Sequence, residues 1–154
     1  MAIDTIAVAV GPMDTVRADA LAETVLEVAE PLEATVVLAH AFTDDEYEEF
    51  REALGFDERV EDVDPDAVAA ERAPIPDLVD RLEEADVDYE ICGVRGDHGT
   101  GVVEVATDVD ADRIVVGGRR RTAAGKAVFG STSQEVMESA PCPVTYARDT
   151  DVLE

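Results

Sequence analysis

Between Asp112 and Glu135 the sequence contains no acidic residue, yet it holds Arg113, Arg119, Arg120, Arg121 and Lys126. Lys126 is the only lysine of the chain. Since the 154 residues carry 37 acids, a window of this size should hold roughly five. In so acidic a protein, a cluster of cations of this kind suits an anion. The surrounding residues fit the same chemistry. Gly117-Gly118 leaves room for close approach to the backbone, and Gly125 is followed by Gly130-Ser131-Thr132-Ser133 at the start of a helix. Free amides and the dipole at that helix start suit a phosphate group, with the Ser131 and Thr132 hydroxyls as further donors. Ser131 with Gln134, or Thr132 with Glu135, would make a capping box. A capped helix behind a basic loop that balances neighbouring carboxylates accounts for the same residues. Both readings stand at this point.

Other reactive side chains offer less. Cys92 and Cys142 have no CxxC spacing, which fits buried thiols rather than redox or metal roles. His40 falls near the end of a strand, at the rim of a cleft, without the partners a metal site needs. His98, in Gly96-Asp97-His98-Gly99, reads as a turn residue. No Ser/His/Asp arrangement or nucleophile elbow is evident. Gly125-Lys126 lacks the glycine spacing and the following Ser or Thr of a Walker motif. No general base stands near the presumed anion, which argues against efficient hydrolysis.

The elements that must position these residues follow from apolar periodicity. Ile6-Ala7-Val8-Ala9-Val10, Thr35-Val36-Val37-Leu38-Ala39 and Ile114-Val115-Val116 are near-continuous apolar runs, as expected of strands covered on both faces. Val87, Tyr89 and Ile91 alternate with Asp88 and Glu90, so this third strand has one wet face. Val144 and Tyr146 alternate in the last strand, where Pro143 belongs at an edge. Asp14 or Thr15 can cap a first helix with the stripe Leu21, Val25, Val28 and Leu32. Val102, Val105, Ala106 and Val109 mark another helix, and a last one spans about Thr132 to Ser139, before Pro141. Five strands with intervening helices make an α/β domain with a parallel sheet. With strands 3 and 5 at the edges, the order is 3-2-1-4-5. The topological switch between strands 1 and 4 then opens a crevice beyond the strand ends, where ligands bind. Residues 43–90 hold 20 of the 37 acids and four arginines. They read as a solvated helical excursion broken by Pro65, Pro74 and Pro76.

Length predicts one domain over residues 1–148 with a short acidic tail at 149–154. The 46% hydrophobic content can fill a sizeable core, and two cysteines do not make a disulfide scaffold. The formal charge is −25, and the acids are spread among apolar residues rather than gathered in a tail. Such a surface repels itself at low salt, and salt screens it, with a Debye length of roughly 3 Å at 1 M. The expectation is a halophilic, high-salt cytoplasm. Nucleic acid and anionic membranes are poor partners, because phosphate backbones need many cations. No apolar run approaches the ~20 residues of a membrane span. Met1-Ala2-Ile3-Asp4 shows no basic region before an apolar stretch, so no signal peptide is expected.

Gly117-Gly118-Arg119-Arg120, nine residues, then Gly130-Ser131 resembles the nucleotide-binding signature of the universal stress protein family, G-x2-G-x9-G-[S/T]. Ala140-Pro141-Cys142-Pro143-Val144 resembles its C-terminal signature, and the likeness extends from Ile6 to the last strand. The resemblance implies a flavodoxin-like (Rossmann-like) three-layer sandwich, a homodimer through strand 5, and ATP or a related adenine nucleotide, with or without Mg2+, in the crevice. Phosphates would meet Gly117, Arg119, Arg120, Gly130, Ser131 and Thr132, adenosine would lie near Val10, Gly11 and Ala41, and Val116 would also belong to the nucleotide site. The module would be regulatory. A slow ATPase in the same cleft and a nucleotide-free dimerisation protein are the alternatives. Two positions depart from the family pattern. Arg120 stands at the second signature glycine, where it either adds charge to the phosphate site or fills it. Val10-Gly11-Pro12 stands where ATP-binding members carry an Asp just after strand 1.

Overall fold

The computed structural model describes residues 3–53, 65–118 and 131–148. Strand β1 (Thr5–Ala9) leads through a 3-10 segment (Pro12–Arg17) into α1 (Ala18–Leu32) and β2 (Thr35–Phe42). Three helices follow, α2 (Asp44–Ala53), α3 (Pro65–Ala70) and α4 (Ile75–Glu84), before β3 (Tyr89–Arg95). The chain then runs through α5 (His98–Asp108), β4 (Arg113–Gly118), α6 (Ser131–Ser139) and β5 (Val144–Arg148). The sheet is five-stranded, in the order β3-β2-β1-β4-β5. Every strand pair in it is parallel.

Two apolar layers sandwich the sheet. On one face Ile6, Val8, Val36, Leu38 and Phe42 pack with Leu21 and Val25 of α1 and Leu78 of α4. On the other, Ala7, Ala9, Val37 and Ala39 pack with Val102 and Val105 of α5 and Val136 of α6. Small residues on that second face let α5 come close. A Cβ at Gly101 would lie 2.7 Å from the Ala41 side chain and 2.9 Å from Val94. The crossovers before β3 go to one face and those after β3 to the other, as right-handed connections require when the strand order reverses.

The interior placement of β1, β2 and β4 matches the apolar runs, and the alternating strands β3 and β5 form the edges. Several details differ from the periodicity. The third strand begins at Tyr89 and runs to Arg95, leaving Val87 buried just before it. The first helix begins at Ala18, because the chain makes a 3-10 segment first. It ends at Glu33, whose left-handed backbone (φ 53°) returns its N–H to Ala29 and Glu30. Leu32, at that frayed end, is 47% exposed and not part of the core. Both cysteines are free and half-buried. Burial raises the pKa of each thiol.

At the outer side of the sheet, α3 lies against β3. The Asp66 carboxylate accepts the Gly93 N–H at 2.6 Å. A Cβ at Gly93 would stand 2.1 Å from the Pro65 carbonyl oxygen, so only glycine permits this approach.

Candidate functional site

Strands β1 and β4 are neighbours, with Ala9 beside Val116. Beyond that point the chain leaves β1 toward α1 on one face and β4 toward α6 on the other. Strand β2 runs on to Phe42, past the end of β1 at Ala9. Val10, Gly11, Ala41, Val116 and Gly117 are therefore assembled at one end of the sheet. Ala41 packs against α5 at Gly101 and Val116 is buried in the core, so both can offer a ligand only backbone atoms. Val10 gives its N–H to the Ala39 carbonyl. Its own carbonyl oxygen lies 2.5 Å from His40 Nδ1.

His40 is buried, with its ring edge-to-face on Phe42 at 4.4 Å. Burial lowers its pKa to about 4, against the opposing pull of the Val10 carbonyl. The imidazole is thus neutral near pH 7, and the carbonyl partner puts its proton on Nδ1. Nε2 is shut off from solvent and meets no hydrogen-bond partner among the described residues. His40 braces the β1 end rather than lining an open rim.

The space beside Gly117 is filled from the 3-10 segment. Asp14 Oδ2 accepts the Gly11 N–H at 2.7 Å. Asp14 Oδ1 accepts Arg17 Nε–H at 2.7 Å, and both side chains are about nine-tenths buried. A Cβ at Gly117 would lie 2.6 Å from Asp14 Oδ1 and 3.0 Å from Arg17 Cδ. Glycine is required there because an ion pair lies flat against the strand. From the opposite face Ser133 of α6 donates its hydroxyl to the Gly117 carbonyl at 3.2 Å.

Helix α6 begins at Ser131, as the Gly-Ser-Thr-Ser run predicts. Thr132 falls inside its first turn, and the Glu135 carboxylate accepts from Ser139 instead, so the Thr132–Glu135 capping box is not formed. Gly99 lets α6 approach α5, since a Cβ there would stand 2.6 Å from the Glu135 side chain. Arg119, Arg120 and Gly130 lie outside the described residues, as do Arg121, Gly125 and Lys126. The sequence reading missed Arg17 and Ser133 and used Asp14 only as a helix cap. The signal for the pair was present: Arg17 is one of twelve cations, three residues after an acid.

A second polar group stands at the neighbouring strand ends. His98 opens α5 and lies with Nε2 2.6 Å from Glu46 of α2. Glu46 also accepts the Thr43 N–H and hydroxyl at 3.0 and 2.9 Å. Burial opposes ionisation of Glu46, but the Thr43 and His98 hydrogen bonds outweigh it and hold its pKa below the usual carboxylate range. Arg95 lies over the Tyr47 ring at 4.5 Å and pairs with Asp44. These contacts tie α2 to β3 and α5.

Comparison with solved structures places this architecture. A universal stress protein from Archaeoglobus fulgidus superposes with a TM-score of 0.63 at 21% identity, over 95% of this chain and 98% of that one. One solved in complex with cAMP gives 0.64 at 22% identity, covering 96% and 98%. One from Arabidopsis thaliana with AMP bound gives 0.61 at 16% identity, covering 96% and 92%. No match was found among curated proteins. The sequence model of the universal stress protein family matches residues 2–148. With that match over nearly its whole length and the sheet order β3-β2-β1-β4-β5, the chain belongs to the universal stress protein family.

Proposed function

We propose that this chain is a regulatory module that binds an adenine nucleotide, ATP foremost, in the crevice between the ends of β1 and β4. The observation that carries the reading is the bond from Ser133 to the Gly117 carbonyl. It fastens the start of α6 to the end of β4, which supports a site shared by Gly117 and Ser131, one residue from each half of the glycine signature. Nucleotides bound to related proteins, cAMP in one and AMP in another, support the ligand class. Gly117, Arg119, Arg120, Gly130, Ser131 and Thr132 would meet the phosphates, and Val10, Gly11, Ala41 and Val116 the nucleoside. Mg2+ would accompany a triphosphate. No carboxylate or histidine among the described residues at this crevice is placed as a general base, since His40 is turned to Val10 and Asp14 is held by Gly11 and Arg17.

Mass spectrometry of gently purified protein, followed by calorimetry with ATP, tests the reading. A copurifying or micromolar adenine nucleotide is expected. Arg120→Gly should weaken ATP binding by about 1.5–3 kcal/mol, the scale of a charge-assisted hydrogen bond. If ATP, AMP and cAMP all fail to bind folded protein at high salt, the reading falls. Tighter binding by the Arg120→Gly variant would instead make Arg120 a plug.

The proposal extends to assembly and setting. β5 carries half-buried Val144 and Tyr146 at the sheet edge and would pair with a second copy, giving a homodimer. The −25 charge suits a high-salt cytoplasm. No helix among the described residues is long and apolar enough to cross a membrane.

A further inference from the structure

Along β2, backbone groups turn alternately toward β1 and toward β3. Thr35 gives its N–H to Asp4 and the Ala39 carbonyl takes the Val10 N–H, both on the β1 side. Val36 gives its N–H to Asp88 and the Phe42 carbonyl takes the Gly96 N–H, both on the β3 side. Ala41, two residues beyond Ala39, therefore turns toward β1. In the register that joins Thr35 to Asp4, the next rung at the crevice would run from Ala41 N–H to the Val10 carbonyl. Among the described residues that bond is not made. His40 Nδ1–H takes the Val10 carbonyl instead, at 2.5 Å. The rung after it, from residue 12 to the Ala41 carbonyl, cannot form because Pro12 has no N–H.

His40 does this at a cost. Its ring is buried against Phe42, and Nε2 meets no hydrogen-bond partner among the described residues. An apolar side chain would fill the same place without that orphan, so packing does not account for a histidine here. Ala41 is itself buried, and a buried backbone N–H withheld from its ladder calls for another acceptor. We infer that His40 is a positioning residue of the crevice: its Nδ1–H ends the β1–β2 ladder one rung early and keeps the Ala41 N–H for an acceptor atom of a bound nucleoside. This rests on the nucleotide reading above and deepens it, since His40 acts on the site through Val10 and Ala41 without touching the ligand.

Nuclear magnetic resonance and calorimetry with AMP, at matched high salt, test this on wild type, His40→Leu and His40→Asn. Leucine occupies the core position without a donor. Asparagine carries its amide nitrogen on Cγ, where imidazole carries Nδ1, and so keeps the donor. The coupling transmitted through a hydrogen bond from the Ala41 nitrogen to the Val10 carbonyl carbon should be absent from wild type and His40→Asn. It should appear in His40→Leu, where the ladder closes. AMP should bind His40→Leu about tenfold more weakly than wild type, and His40→Asn within about threefold of wild type. If His40→Leu does not fold, His40→Gln, whose amide sits one bond further out, takes its place.

An Ala41–Val10 coupling in wild type overturns the proposal without any variant. So does a His40→Asn variant as weak as His40→Leu, which would make the effect one of packing. If wild type binds AMP and His40→Leu binds it equally, the positioning role fails and the nucleotide reading stands. If no folded protein binds AMP, yet the coupling is absent from wild type and present in His40→Leu, the ladder stop stands and the nucleotide reading fails.

Discussion

Ser133 and Gly117 lie sixteen residues apart in sequence, and the hydroxyl of the first is donated to the carbonyl of the second at 3.2 Å. The bond fastens the start of α6 to the end of β4 from one face, while Asp14 and Arg17 press on Gly117 from the α1 side. Ser133→Ala removes the bond and leaves a part-buried carbonyl without it. The expected loss is about 1 kcal/mol, or roughly 2–4 °C in melting temperature for a chain of this size. Nucleotide affinity should fall with it, because the helix start is no longer fastened to the strand. Unchanged stability and affinity would remove this bond from the account of the site.

His40 makes a pH prediction with a definite sign. Its pKa is about 4 in the folded protein and near 6.5 unfolded, so the unfolded chain binds more protons between those values. Stability from the neutral imidazole is fully present above about pH 6.5, is lost as pH falls toward 4, and changes no further below. The loss amounts to about 3 kcal/mol at most, at 1.36 kcal/mol per pH unit. Carboxylates titrate in the lower part of the same range, so the quantity to measure is the difference between wild type and His40→Gln. Urea unfolding from pH 7.5 to 4.5 at fixed salt should show the wild-type advantage shrinking on acidification. A difference independent of pH would sink the assignment.

Strand order was legible because burial writes itself into composition. β1, β2 and β4 are covered on both faces and show unbroken apolar runs, whereas Glu90 and Pro143 mark the strands with an open side. The end of β4 at Gly117-Gly118 and the start of α6 at Ser131 were legible for a similar reason, since glycines and small hydroxyl residues punctuate elements. The Asp14–Arg17 pair was not. Asp14 makes an equally good helix cap on local grounds, and its true role depends on Gly117, a neighbour only once β1 and β4 are adjacent. The shift of α1 to Ala18 has the same origin, for the 3-10 segment is held by that tertiary contact. The role of His40 was hidden because its partner is a backbone carbonyl, which any residue at position 10 would supply.

Salt should act on the folded state as a whole. Raising KCl from about 0.1 to about 2 M shortens the Debye length from about 10 Å to below about 3 Å, screening a formal charge of −25. The melting temperature should climb across that range. A flat or falling curve would detach the acidity from any high-salt setting.

Val144→Asp places a carboxylate at the start of β5, beside Ile114 of β4. Sedimentation should give a monomer where wild type gives a dimer, with circular dichroism confirming that the variant is folded. Persisting dimers would move the interface away from this edge.

The bond between Asp66 and Gly93 bears on what the sheet can become. An outward amide of β3 is already occupied by a side chain of the same molecule, and α3 stands over that strand. The sheet therefore has two unlike flanks and, at most, a valence of one. A single-valence unit that meets a copy of itself about a two-fold axis consumes its only free flank, and growth stops there. Asp66 thus acts as a chain terminator for the sheet, set against strand-by-strand growth at β3.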